Sequence, residues 1–387
     1  MGGMGQRVQL PENHFPTAGA VAQGDIVGRR EAIESLSLRL LAGQHSYLAG
    51  PRRIGKSSIA EAALRRAHDE AGAIPIVIDM LYLTTAISFA SAVFDAVAKA
   101  RGGAGGLVDE LRQKRRLLDV EQTYKAKLGP FFEAAIKLTQ AAGEADVLLR
   151  HAFALLGQLA IDQSQRVVVL LDEFQVSDRI HPDFDEIARH YVADRDQRVT
   201  YIFSGSRASM LKRKFGTERK PLFRAALEVA LPDPSPEDWQ PYLERKLLEV
   251  GIQADGACLR KLLEETGGHA QDTMFLASEL HLLMFARQSH FAGYPEAEEA
   301  TGRALRGLDN AFSQEWVALD RSEQIVVARI AMGEKVYAQL TKADNESVRQ
   351  ALIRLQEDGV LSKRRAGDYR LREPLFASYL RKTITSV

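Results

Sequence analysis

Short runs of apolar residues alternate with longer amphipathic stretches along the first 232 residues of the chain. Nearly continuous runs of Val, Ile and Leu are typical of strands buried on both faces of a parallel sheet. The stretches between them have helical spacing, and residues 82–165 are long enough to hold several helices. The pattern therefore predicts an α/β fold with a five-stranded parallel sheet. The predicted strands are SYLAG (46–50), IPIVID (74–79), RVVVLLDEF (166–174), VTYIFSGS (199–206) and LEVALP (227–232).

The pattern becomes purely helical after residue 235. Ser235 followed by Pro236 is typical of a helix start, with serine as the N-cap and proline in the first turn. Helices only are predicted over residues 236–287, followed by a loop at 289–299 and a helix that ends near residue 317. These residues predict a second, helical domain.

The last 68 residues have a third pattern. Their spacing predicts three short helices in SEQIVVARIAM, KVYAQLTK and ESVRQALIRLQEDG, a hairpin from VLSKRR and YRLRE, and a final helix in PLFASYLRK. This order is that of a winged helix. We therefore expect an extended N-terminal segment (1–24), a core (25–234), a helical domain with a connecting helix (235–318) and a winged-helix domain (319–387).

Composition narrows the possible functions. The 51 Lys and Arg balance the 51 Asp and Glu, so uniform attraction to nucleic acid is excluded while a local basic patch is not. The single cysteine, Cys258, excludes an intrachain disulfide and a multi-cysteine metal site. No apolar run approaches the length of a membrane span, and residues 1–15 lack a signal-peptide core. We expect a soluble, cytoplasmic protein without a membrane partner.

One motif carries specific chemistry. Residues 50–57, GPRRIGKS, fit the phosphate-binding pattern G-x-x-x-x-G-K-[ST], and they lie between a predicted strand and a predicted helix. The glycines let backbone N–H groups point at phosphate oxygens, and the helix adds the positive end of its dipole. Lys56 reaches the β and γ phosphates, and the Ser57 hydroxyl binds Mg²⁺. The predicted nucleotide-binding residues are Gly50, Pro51, Arg52, Arg53, Ile54, Gly55, Lys56, Ser57 and Ser58.

Acidic and hydroxyl side chains follow two other predicted strands. Asp172 follows the apolar run of RVVVLLDEF, at the carboxyl end of a predicted buried strand, where it can hold Mg²⁺ through water. Glu173 is placed to orient or deprotonate an attacking water. VTYIF ends in Ser204-Gly205-Ser206. A hydroxyl there either hydrogen-bonds the γ-phosphate or the attacking water, or belongs to an ordinary strand-to-loop turn. The sequence thus predicts Ser57 and Asp172 as magnesium ligands and Glu173 and Lys56 as catalytic residues.

Five segments together resemble the archaeal-type ATPase family, which belongs to the AAA+/STAND P-loop ATPases near the origin-recognition initiators. The resemblance runs from about residue 12 to residue 287 and resumes in YRLREPLFASYLR near the C-terminus. It implies an AAA+-like P-loop NTPase core, a helical lid over 235–318, a winged helix, and ATP with Mg²⁺ as cofactors. The segments are IVGRREAIESL (26–36), GPRRIGKSS (50–58), VVVLLDEFQ (167–175), IFSGSRASML (202–211) and PLFRAALEVALP (221–232).

The resemblance also implies individual roles. Residues Val27, Gly28 and Arg29 would lie near the adenine, and Ser204 would be the first sensor of the γ-phosphate. Arg224 would be an arginine finger that acts on a neighbouring subunit, which implies a homo-oligomer; the alternative is an ordinary surface arginine. Arg219 and Lys220 lie close to it.

The lid segment departs from the family. Residues 266–280 contain no Arg or Lys, so the second-sensor arginine of many AAA+ proteins is missing, and Ala270 replaces a usual proline. For His269 and Gln271 a structural role is favoured over that of a substitute sensor.

The C-terminal domain leaves two uses open. Residues 320–387 carry 13 Lys and Arg against 9 Asp and Glu. A DNA-associated ATPase would place this basic surface on double-stranded DNA. The alternative is a nucleotide-dependent signalling switch that recruits a separate protein partner or effector, with the winged helix as an intramolecular brake. The predicted DNA-contacting residues are Arg349, Arg354, Lys363, Arg364 and Arg365.

Overall fold

The computed structural model describes residues 14–17, 19–101, 145–194, 198–337, 342–365 and 367–384. The chain forms two compact units. The sheet unit contains Arg29–Arg52 and Lys56–Leu231, and the helical unit contains Met1–Gly28, Arg53–Gly55 and Pro232–Val387. The finer domain boundaries expected from the sequence stay a prediction.

The sheet unit is built on one parallel sheet in the order β2-β3-β4-β1-β5. This confirms the predicted α/β fold with five parallel strands. The edge strand β5 is shorter than predicted, because both of its residues are exposed and it has only β1 as a neighbour. The strands are Ser46–Ala49 (β1), Ile74–Asp79 (β2), Val167–Asp172 (β3), Val199–Gly205 (β4) and Leu227–Glu228 (β5).

Helices of the sheet unit cover a core of aliphatic and aromatic residues. Residues 167–171 of β3 and all of β4 are buried, as their continuous apolar runs predict. Of the region 82–165, predicted to hold several helices, residues 102–144 lie outside the described part. The helices are Arg30–Leu41 (α1), Lys56–Ala71 (α2), Ala86–Ala100 (α3), Ala145–Gln163 (α4), Ser177–Ile180 (α5), Phe184–Ala193 (α6) and Ala208–Gly216 (α7).

A buried lysine joins three of these helices. Lys214 in α7 is 5% exposed, and its Nζ lies 2.6 Å from Asp178 Oδ1 and 2.5 Å from Asp185 Oδ2. It also donates to Ser177 Oγ at 3.1 Å. Because Asp185 is itself buried, the lysine neutralises a carboxylate that water does not solvate.

Replacing Lys214 with alanine should leave Asp185 buried and unpaired. We expect Lys214→Ala to lower the free energy of unfolding by about 3–5 kcal/mol, measured by urea denaturation. The matched control is Lys212→Ala in the same helix. Lys212 is 56% exposed and pairs with Glu228 at 2.9 Å, so its loss should cost about 1 kcal/mol or less. Equal effects of the two substitutions would contradict a structural role for the Lys214 network.

The first helix of the helical unit begins where the sequence predicts, whereas the last begins at Tyr294, inside the predicted loop 289–299. Ser235 accepts a hydrogen bond from Asp238 N, and Asp238 accepts one from Ser235 N, which forms a capping box. The prediction of helices alone is wrong at one point, because Gln253–Ala254 (β6) pairs with Phe291–Ala292 (β7). Two-residue strands are too short to leave an alternating pattern. The helices are Pro236–Glu249 (α8), Gly256–Thr266 (α9), Ala270–Arg287 (α10) and Tyr294–Ala318 (α11).

The N-terminal segment is anchored in the helical unit. Phe15 is fully buried in the core formed around Trp239 and Leu280. The Gln271 side chain donates to the Thr17 carbonyl at 3.0 Å. The segment predicted as an extended lead-in is therefore partly a packing element of this core.

The described residues of the C-terminal part form three helices and one antiparallel hairpin. The prediction of a helix in KVYAQLTK is wrong over Lys335–Tyr337, which are not helical. The Val336 carbonyl accepts a hydrogen bond from Arg329 Nη1 at 2.8 Å, and not from a backbone N–H of a helix. Residues 338–341 of this predicted helix lie outside the described part. The elements are Arg321–Ala331 (α12), Lys342–Glu357 (α13), Leu361–Arg365 (β8), Asp368–Leu371 (β9) and Pro374–Ile384 (α14).

Within the described ranges, no helix has both the length and the apolar character needed to cross a membrane.

Candidate nucleotide site

Three neighbouring strands end at the same edge of the sheet. β1 lies between β4 and β5, and β4 lies between β1 and β3. The register pairs Ala49 with Gly205, at the ends of β1 and β4. Because the strands are parallel, the segments that follow β1, β3 and β4 meet at this carboxyl edge. The edge carries the phosphate-binding motif, Asp172 with Glu173, and Ser204 to Ser206.

The loop after β1 has the backbone that its glycines predict. Gly55 has a φ of +89°, which favours glycine, and α2 begins at the next residue, Lys56. Lys56 is buried, and its Nζ donates to the Pro51 carbonyl at 2.5 Å. The amine thus folds back over its own loop, where a phosphate oxygen would compete with the carbonyl.

Other residues of the predicted loop have different surroundings. Arg52 is exposed, whereas Ser58 is buried at the start of α2. Ile54 is buried as well. In the helical unit, Arg53 Nη1 contacts both carboxylate oxygens of Glu373 at 3.2 Å.

The two predicted magnesium ligands are in direct contact. Ser57 Oγ donates to Asp172 Oδ2 at 2.5 Å. A hydroxyl and a carboxylate are oxygen donors of the kind that Mg²⁺ takes, so the pair fits this ion. Burial raises the pKa of nearby Glu61 in α2, Arg65 opposes the shift, and the charge of Asp172 adds to it. A divalent cation would offset this concentration of acidic groups.

Glu173 has a strained backbone and a held side chain. Its φ of 54° and ψ of 39° lie in the left-handed region, which costs a residue with a side chain about 1 kcal/mol or more. Its Oε2 accepts hydrogen bonds from Ser206 Oγ at 2.8 Å and from Gln175 Nε2. Its backbone N–H donates to Asp172 Oδ1 at 3.0 Å. The carboxylate is therefore fixed next to the magnesium ligands.

The Ser204 hydroxyl is buried at the tip of β4. The residue is 0% exposed, and its Oγ has no hydrogen-bond partner among the described residues. A buried hydroxyl without a partner costs about 1–3 kcal/mol. A group supplied from outside the chain, such as a phosphate oxygen or a water, would satisfy it.

The residues assigned by resemblance alone are placed separately. In the helical unit, Val27 is buried, and Gly28 has a φ of +62° and lies so close to Asp238 that a Cβ would be 2.7 Å from its Oδ2. In the sheet unit, Arg29 is buried at the start of α1. Arg224 is exposed, and its guanidinium lies 4.9 Å from the centre of the Phe223 ring.

The two polar residues of the lid segment have structural contacts. His269 is the N-cap of α10, and its Nδ1 lies 3.2 Å from Asp272 Oδ1. Burial lowers the pKa of His269, but the hydrogen bond and charge of Asp272 outweigh it, so the net shift is upward. The Gln271 side chain donates a hydrogen bond to the Thr17 carbonyl. These contacts favour the structural interpretation of both.

The arginines predicted to contact DNA are paired with carboxylates. Arg349 forms two hydrogen bonds with Glu346 at 3.0 and 2.9 Å. Arg354 contacts Glu323 at 2.9 Å and Asp320 at 2.5 Å. Lys363, Arg364 and Arg365 lie on β8, in the hairpin.

The contacts of three residues at this edge were not predicted from the sequence. Gln175 and Ser206 hold Glu173, and Glu61 adds negative charge beside Asp172. The sequence signals were the polar residue two positions after Glu173 and the serine directly after β4, and neither has a meaning until the strand order is known.

The comparison of structures identifies the class of fold. The chain is similar to the Walker-type ATPase of Pyrococcus abyssi, at 18% identity and a TM-score of 0.62, over 95% of this chain and 99% of that one. It is also similar to the ORC2 protein of Aeropyrum pernix in its ADPNP–ADP complexes, at 16% identity, a TM-score of 0.56, and coverage of 92% and 94%. It is similar as well to Cdc6p of Pyrobaculum aerophilum, at 13% identity and a TM-score of 0.50, over 97% of this chain and 98% of that one. No protein-family model and no curated protein sequence matches the chain.

These similarities show the fold. The protein shares its α/β fold with the Walker-type ATPase and the ORC2 protein along almost its whole length. The resemblance drawn from the five sequence segments is thereby confirmed at the level of the fold.

Proposed function

We propose that this protein binds ATP with Mg²⁺ at the carboxyl edge of its sheet and hydrolyses it. One observation carries the proposal: the hydroxyl of the phosphate-binding loop, Ser57, and the acidic strand end, Asp172, are in contact, with Glu173 next to them. The ADPNP–ADP complexes of the similar ORC2 protein support nucleotide as the ligand of such a fold.

Each residue has a defined role in this proposal. Lys56 and the N–H groups of the loop bind phosphate oxygens, and Ser57 and Asp172 hold the metal ion. When bound, Mg²⁺ supplies charge neutralisation at the β and γ phosphates. Glu173 accepts a proton from water, whose oxygen attacks the γ-phosphorus while the bond to the bridging oxygen of ADP breaks. Ser204 hydrogen-bonds the γ-phosphate or the water.

Two further parts of the proposal concern assembly and output. Arg224 is exposed, as an arginine acting on the site of a neighbouring copy would need to be, so we propose a homo-oligomer. Residues 319–387 form a winged-helix domain in this proposal, and the output is a nucleotide-driven conformational change.

A second candidate function is a nucleotide-dependent switch that recruits a protein partner. The pairing of Arg349 and Arg354 with acidic side chains favours this function. Their positive charges are already balanced within the chain, so they attract DNA phosphates less. Of the five residues predicted to contact DNA, Lys363, Arg364 and Arg365 would then remain.

Duplex DNA distinguishes the two uses. We expect phosphate release from Mg²⁺-ATP to change by less than about twofold when a random-sequence duplex is added, since Arg349 and Arg354, two of the five residues predicted to contact DNA, are paired with carboxylates. The control is Lys363→Ala/Arg364→Ala/Arg365→Ala. A rate that rises with DNA in the wild type, but not in this triple variant, would establish a DNA-coupled ATPase and overturn the switch.

A further inference from the structure

Two polar side chains from different segments meet at one oxygen of Glu173. Ser206 follows β4, and its Oγ donates to Glu173 Oε2 at 2.8 Å. Gln175 follows β3, and its Nε2 donates to the same oxygen. The amide of Gln175 also donates to Ser206 Oγ at 3.0 Å, so the three groups form a closed triangle. Both partners are 8% exposed, and solvent therefore competes little for these bonds.

The strand end is shaped to admit this triangle. A Cβ on Gly205 would lie 2.2 Å from Gln175 Oε1 and 2.6 Å from Leu211. Any residue other than glycine would displace the glutamine side chain. The left-handed backbone of Glu173 turns the chain at this point, and Gln175 lies in the 3-10 helix Phe174–Val176 that follows. The strained backbone of Glu173 and the missing side chain of Gly205 thus both allow Gln175 to reach Glu173.

We infer that Ser206 and Gln175 are positioning residues for Glu173, an assignment that rests on the proposed role of Glu173 as the base. They hold Oε2, so that Oε1 is the oxygen that takes the proton from the attacking water. Among the described residues none donates a hydrogen bond to Oε1. A glutamate side chain has three rotatable bonds, and two donors on one oxygen restrict them to one arrangement.

The expected effect is on turnover and not on nucleotide binding. Ser206→Ala and Gln175→Ala should each lower kcat for ATP hydrolysis by about tenfold to a hundredfold, because a misplaced reacting group loses rate steeply. The dissociation constant of a fluorescent ADP analogue should stay within about twofold, because neither side chain belongs to the phosphate-binding loop. Ser206→Thr, which keeps the hydroxyl, should restore most of the rate.

A matched control distinguishes the loss of Glu173 positioning from the general effect of replacing a buried serine. Ser37 in α1 is buried as well, at 0% exposure, and its Oγ has no hydrogen-bond partner in the described part of the chain. Ser37→Ala should leave both kcat and the dissociation constant unchanged. Thermal unfolding of all variants identifies any that fail to fold.

The decisive measurement is a double-mutant cycle with Glu173→Gln, by single-turnover hydrolysis. If Ser206 acts through Glu173, adding Ser206→Ala to Glu173→Gln should lower the residual rate no further. An equal loss in both backgrounds, a parallel loss of nucleotide affinity, or an unchanged kcat in Ser206→Ala would overturn the assignment. Wild-type turnover in Glu173→Gln itself would instead overturn the proposed function.

Discussion

Glu173→Gln is expected to bind ATP normally and to lower kcat for hydrolysis by about 10²–10⁴-fold, the usual contribution of a general base. Glutamine keeps the size of the side chain and can still contact Ser206 and Gln175, but it cannot accept a proton from water. The neighbouring pair of Ser57 and Asp172 is untouched by the substitution. Nucleotide affinity should therefore stay within about twofold of the wild-type value.

Single-turnover hydrolysis with a labelled γ-phosphate measures this effect free of product release. The matched control is Glu186→Gln, which makes the same chemical change on the exposed face of α6. It should leave the rate unchanged. A rate in Glu173→Gln close to that of the control would remove Glu173 as the base.

Lys56→Ala should abolish nucleotide binding in the micromolar range. Lys56 is buried at the start of α2, and its amine is the cation proposed to bind the phosphates. Removing one partner of a buried, charged hydrogen bond costs about 2–5 kcal/mol, which is roughly 30-fold to several-thousand-fold in affinity.

Titration of a fluorescent ATP analogue measures this loss directly. Lys99→Ala, on the exposed end of α3, controls for the removal of a positive charge. Micromolar affinity retained in Lys56→Ala would contradict the assignment of the phosphate-binding loop.

The sheet and the loop were predictable because their signals are local. Continuous apolar runs define β3 and β4, and both strands are buried as that pattern requires. The glycine at position 55 adopts the positive φ that the phosphate-binding motif demands. Such features depend on residues next to each other in the chain, so no tertiary information is needed to find them.

The contacts that hold Glu173 were not predictable in this way. Ser206 lies 33 positions from Glu173, and the two meet only because β3 and β4 are neighbours in the sheet. The pairing of Arg354 has the same origin, since its partners Glu323 and Asp320 are 31 and 34 positions away. An arginine that looks available for DNA in the sequence is thus engaged within the folded chain.

Tertiary packing also accounts for features that the periodic patterns did not reveal. Phe15 was assigned to an extended lead-in, yet it fills part of the core of the helical unit. The pairing of β6 with β7 joins residues that are 38 positions apart and involves only two residues in each strand. Neither feature has a periodic pattern of its own.

The most direct test of the whole account is the rate of phosphate release from ATP by the wild-type protein, measured with Mg²⁺ and with EDTA and compared with Glu173→Gln. We expect a magnesium-dependent rate in the wild type at least about a hundredfold above that of the variant. Equal rates for the two proteins in the presence of Mg²⁺ would contradict hydrolysis at this site.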